Sequence, residues 1–113
     1  MKILVTHIVT PKLGGAHLYT QELTDALKIN HNLVIINGQE ITHNFDYDID
    51  SLDAVRNIDF DLITIMQSPH FKDLNIKIKN ARVINIIHSE VYQLDEPLIH
   101  NRAKYISVRN EIK

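Results

Sequence analysis

The sequence predicts an α/β domain with a doubly wound parallel sheet. Its opening run, residues 2–8, is rich in β-branched side chains, apolar on both faces and too short for an ordinary helix, as a central parallel strand must be. Adjacent glycines, Gly14 and Gly15, then lead into an amphipathic segment. Further apolar runs alternate with helical segments along the chain, the rhythm of right-handed βαβ units that cover both faces of a parallel sheet.

The first helix is expected over residues 16–29. Ala16, Tyr19, Leu23, Ala26 and Leu27 fall on its core side, and His17, Gln21, Glu22, Thr24, Asp25 and Lys28 on the other. Residues 30–32 break it, with Asn30 as a left-handed cap, and residues 33–37 form a second strand. Residues 38–50 are polar and irregular, punctuated by Phe45 and Tyr47, and read as a surface loop with one or two side chains tucked under it. Asp50 or Ser51 caps a short helix over 51–57, and residues 61–66 are a third buried strand.

Ser68-Pro69 reads as an N-cap followed by proline at the first helical position, where its missing N–H costs nothing, so a helix runs on to about residue 74. Residues 75–80 alternate Ile76 and Ile78 with Lys77 and Lys79, which fits either a poor extension of that helix or an extended connector. A fourth strand over 82–87 ends at His88-Ser89-Glu90. Pro97 starts a short helix to about Ala103, residues 105–108 are a fifth strand, and residues 109–113 read as the first turn of another helix. That ending reads as a piece of a longer protein, with residues 1–113 as one N-terminal domain.

At 113 residues and 44% hydrophobic, the chain has material for one small core. A net charge of −2 with mixed signs and no basic patch argues against nucleic acid or an anionic membrane as a partner. The absence of cysteine excludes disulfides, thiolate chemistry and Cys-based zinc sites, and suits a reducing compartment. No small-residue cleavage site follows the single Lys2, and no apolar run approaches the ~20 residues that span a bilayer, so a soluble, unprocessed, cytoplasmic chain is expected.

Open α/β sheets bind ligands at the carboxyl ends of their strands. The segments to read are therefore 9–15, 38–40, 67–70, 88–90 and 109–111. Gly14 and Gly15 let a ligand approach the backbone, with the first-turn N–H groups of the helix aimed above the sheet; their plain alternative is steric relief in a tight turn. His88 is either a strand-end imidazole satisfied by a carbonyl or a functional group of the cleft. His70 lies in a helix first turn, and Glu90 and Arg109 are either solvated or cleft-lining. His7, His17, His31, His43 and His100 show no metal-ligand spacing and receive no site, so no metal is assigned.

Two rival classes lack their chemistry here. A response-regulator receiver needs an acidic pair after strand one, an aspartate after strand three and a lysine after strand five. A dinucleotide-binding domain needs G-x-G-x-x-G after strand one and an acidic residue ending strand two, where this chain has Leu13-Gly14-Gly15-Ala16-His17 and Asn37.

Taken together, the opening strand, Gly14-Gly15-Ala16, the cadence of Tyr19, Leu23, Ala26 and Leu27, the His31 turn, the run 61–65 and the strand ending in His88-Ser89 resemble the N-terminal half of a GT-B glycosyltransferase. The family is the large retaining one that includes phosphatidylinositol mannosyltransferases and many enzymes of polysaccharide biosynthesis. The resemblance covers essentially the whole chain. It implies a Rossmann-like half of a GT-B fold, in an enzyme that moves a sugar from a nucleotide-sugar donor to a carbohydrate or lipid-linked acceptor. The donor is a substrate, no cofactor or metal is implied, and membrane association of the parent is compatible with the family but not indicated by these residues.

By the same resemblance His88 is catalytic, facing the reacting sugar, while Gly14, Gly15 and Ala16 meet the donor diphosphate with preorganised N–H groups. His70, Ser89, Glu90 and Arg109 are the further substrate or donor-phosphate residues. The family's second domain, with most of the nucleotide-sugar contacts, is not in these residues, so the isolated chain is expected to be inactive. The chain departs from the family at Met66 and Gln67, where His or Glu is common, at Asn30 in place of Gly, and at Arg109 in place of Ser. The alternative is a non-catalytic interaction or ligand-binding domain of the same fold.

Overall fold

The computed structural model describes residues 1–7, 15–66, 68–87 and 103–107, and the side chains among them except those of 15–19, 87, 103, 106 and 107. The described elements run β1 (Lys2–His7), α1 (Gly15–Leu27), β2 (Asn32–Asn37), β3 (Glu40–His43), α2 (Leu52–Arg56), β4 (Leu62–Met66), α3 (Ser68–Leu74), β5 (Arg82–Ile87) and β6 (Ala103–Ser107). They form an α/β structure around a 6-stranded sheet in the order β3-β2-β1-β4-β5-β6.

β1 is central and pairs in parallel with β2 on one side and β4 on the other, as its two apolar faces require. β4 pairs in parallel with β5, and β5 with β6. Strand alternation sends Ile3, Val5, Leu33, Met66 and Ile86 to one face, packed by Leu23 and Leu27 of α1. The other face carries Leu4, Val34, Ile36, Ile63, Ile65 and Val83, covered by Val55 of α2 and by Phe71 and Leu74 of α3. Full burial of each such side chain stabilises by about 1.5–3 kcal/mol, so the two clusters hold the sheet between its helices. The connections β1-α1-β2 and β4-α3-β5 lead outward in opposite directions on opposite faces, which gives them the same hand.

Several expectations are corrected. The sheet is not wholly parallel. Within the expected loop 38–50, residues 40–43 form an edge strand antiparallel to β2, in the register Asn37↔Glu40 through Val34↔His43. The turn is a two-residue loop with Gly38 at φ +67°, a conformation that glycine adopts without a Cβ penalty. The sequence does carry this signal, an Asn37-Gly38 pair set between Ile36 and Ile41. Of the loop's two aromatics one is tucked under it, within the expected one or two: Phe45 packs against the core, whereas Tyr47 is 54% exposed and stands edge-on to Phe45. Ile49, 3% exposed, plugs the segment instead.

On α1 the buried positions include Thr20 and Thr24, the latter expected on the solvent side, while Ala26 is exposed. Threonine can be buried there because its hydroxyl finds an acceptor: Thr20 Oγ1 donates to the Met66 thioether at 3.0 Å and Thr24 Oγ1 to the Gln21 carbonyl at 3.1 Å. Asn30 is not a left-handed cap. Among the described residues the left-handed asparagine is Asn75, φ 56°, which terminates α3. Ser51 is the cap of α2, its Oγ accepting the Ala54 N–H at 3.2 Å.

Residues 75–80 are a connector, neither helix nor strand, with Ile76 and Ile78 turned to the core and Lys79 at φ 55°. The last described strand begins at Ala103, where the end of a helix was expected. The rest of that expected helix, residue 108 and the final helical turn lie outside the described residues.

Candidate functional site

The strand order makes the carboxyl ends of β1, β2 and β4 the natural crevice. β1 sends its following helix to one face and β4 to the other, and ligands of open α/β sheets sit at such a reversal. Among the described residues this edge consists of Thr6 and His7 at the end of β1, Asn37 and Gly38 at the end of β2, and Ser68 and His70 opening α3. Thr6, His7 and Ser68 are buried; Asn37 and His70 are half-buried.

The ladder continues one step past the strand, with the Gly38 N–H donating to the His7 carbonyl at 2.8 Å. This fixes the β2–β3 turn against the end of β1. His70 reaches the same turn from the other crossover and hydrogen-bonds the Gly38 backbone. Burial pushes the His70 imidazole below its ordinary value; the Asp73 carboxylate on the same helix and the Gly38 bond act in the opposite direction and do not cancel it. His70 is therefore held toward its neutral form, in which one ring nitrogen donates and the other accepts.

The polar atoms of this edge are not all satisfied. Thr6 Oγ1, Asn37 Oδ1 and His70 Nε2 are shut off from solvent without a hydrogen-bond partner. Buried polar atoms are usually paired, so unpaired ones gathered at one end of a sheet mark a place where a ligand or a water supplies the missing partner.

Of the residues expected at the site, Gly15 and Ala16 open α1, and His70 opens α3 at the carboxyl edge. Gly14, His88, Ser89, Glu90 and Arg109 lie outside the described residues. His7, Thr6 and Asn37 were not expected. The segments chosen for inspection begin one or more residues after them, because the first strand was read as ending at Ile8 and the strand exit on β2 as starting at Gly38.

Among the described residues no group of three His, Asp or Glu side chains is placed to hold a metal ion. No described helix is long and apolar enough to cross a membrane. Comparison of the chain with protein-family models, with curated proteins and with solved structures finds no match.

Proposed function

We propose that this chain is the N-terminal, acceptor-side half of a retaining glycosyltransferase of GT-B architecture, in which a sugar passes from a nucleotide-sugar donor to a hydroxyl of an acceptor. The observation that carries the reading is the set of unpaired buried polar atoms on Thr6, Asn37 and His70 at the carboxyl edge beside central β1. The resemblance of the sequence, which runs from the opening strand to His88-Ser89, supports it.

In this reading the sheet is the Rossmann-like half of the enzyme, and the N–H groups of Gly14, Gly15 and Ala16 meet the charge that builds on the departing diphosphate. A preorganised dipole needs no rearrangement as that charge develops. His88, which follows β5 in sequence, stabilises the reacting sugar, with Ser89, Glu90 and Arg109 beside it. A second domain supplies most of the donor contacts, and the protein works in the cytoplasm, to which its lack of cysteine is suited.

The test is a titration of the isotope-labelled chain with uridine-, guanosine- and adenosine-diphosphate sugars, read at the backbone amides. Saturable shifts at Gly15 and Ala16 are expected. Amides unmoved at millimolar concentration of every donor contradict the reading.

A further inference from the structure

We infer that the α1 face of the sheet, at the amino ends of β4, β5 and β6, is a docking groove for an amphipathic helix of a partner protein whose apolar stripe is flanked by carboxylates. The groove lies at the opposite end of the strands from the candidate site and stands independently of the transferase reading.

Strand register assembles it. Leu62 is paired with Arg82 and Ile84 with Lys104, and strand alternation sets Arg82 and Ile84 on one face, that of the α1 cluster against which Leu62 and Ile84 pack. These side chains are therefore one contiguous patch across three parallel strands. Parallel strands are ordinarily covered by helices on both faces. Here α2 and α3 lie over one face, while on the other the described apolar side chains of α1, Leu23 and Leu27, leave Leu62 and Ile84 only half-buried. With Phe60 they line an open cleft of about 1410 Å³. A small-molecule pocket encloses ~300–1,000 Å³, so the cleft suits a larger, elongated occupant.

Charge decides what the helix carries. Arg82 and Lys104 are exposed, and neither makes a hydrogen bond or an ion pair among the described residues. The other charges of the rim are committed: Lys79 Nζ to Asp59 at 3.0 Å, and Asp61 Oδ2 to the Lys2 N–H at 2.9 Å. Two uncommitted cations beside a half-buried leucine and isoleucine match an apolar stripe flanked by Asp or Glu at helical spacing. A uniformly anionic surface, a membrane or a nucleic acid, would set its charge against Asp59 and Asp61 as well, which a helix with localised charge avoids.

The experiment follows the backbone amides of Leu62, Ile84 and Lys104 by NMR in the whole chain. The probes, added separately, are a synthetic amphipathic helix with a leucine stripe flanked by glutamates, its twin with lysines for the glutamates, and phosphatidylglycerol vesicles. The glutamate peptide is expected to move these amides saturably, and the lysine twin is not. Arg82→Glu combined with Lys104→Glu is expected to weaken the glutamate peptide about tenfold, the worth of two largely exposed charge pairs, and to admit the lysine twin. Unmoved amides at Gly38 and His70 establish that the variant is folded. Equal binding of the two peptides, no saturable shift with the glutamate peptide, or a response to the vesicles in its place overturns the inference. So do shifts that grow with chain concentration alone, which would assign the groove to a second copy.

Discussion

His70, on the first turn of α3, hydrogen-bonds the backbone of Gly38 at the turn between β2 and β3, tying the helix of one crossover to the hairpin of the other. Because burial holds the folded ring below its ordinary value of 6.5, the unfolded chain takes up the proton first as pH falls. The contribution of His70 to stability is intact above about pH 6.5 and declines as pH drops toward the folded value. Thermal melts across pH 5 to 8 are expected to show a shallower acid-side loss in His70→Gln than in the parent chain. Parallel curves would mean that the proton equilibrium of His70 is not linked to folding.

Arg56 holds the end of α3 from the end of α2. Its Nε and Nη2 donate to the Leu74 carbonyl at 3.1 and 2.8 Å, and its Nη1 to Asp53 at 2.7 Å. The Asp53 pair is largely solvent-exposed and contributes little, but the carbonyl belongs to the last turn of a helix and has lost its intrahelical partner. Arg56→Ala is expected to cost about 1–2 kcal/mol, within the range for hydrogen bonds to a charged group reduced for partial exposure. Arg56→Lys recovers only part, since a point charge cannot make the paired contact. Urea denaturation measures both.

Gly38 has open space where a Cβ would stand, so substitution there tests backbone conformation alone. At φ +67° alanine is strained, and Gly38→Ala is expected to lose about 1 kcal/mol, with Gly38→Asn losing less because asparagine tolerates the left-handed region. Equal losses in the two variants, by denaturant midpoint, would place the cost in packing against His70.

The parts of the fold that were legible in the sequence are those whose physics is local or doubled. β1, β4 and β5 are apolar on both faces, so no choice of register hides them, and Ser51 and the Ser68-Pro69 pair announce helix starts chemically. β3 was not legible by periodicity because it has four residues and buries one face only in part; its evidence was the Asn37-Gly38 turn. Thr24 was misjudged because hydropathy treats a hydroxyl as exposed, whereas here its hydroxyl has an acceptor in the Gln21 carbonyl. At the site, His70 was legible from its place after a strand, but Asn37 and Thr6 were not, since their meaning lies in what their side chains fail to meet once the sheet has formed.

The most direct test of the central claim is sugar transfer by the full-length gene product, followed as release of nucleotide diphosphate from a panel of nucleotide sugars in the presence of carbohydrate and lipid-linked acceptors. The account predicts turnover with at least one donor, reduced on the order of 10² or more by His88→Ala, as removal of one preorganised group does, with the melting temperature unchanged. A folded full-length protein that turns over no nucleotide sugar, or a His88→Ala variant with near-normal turnover, would contradict it.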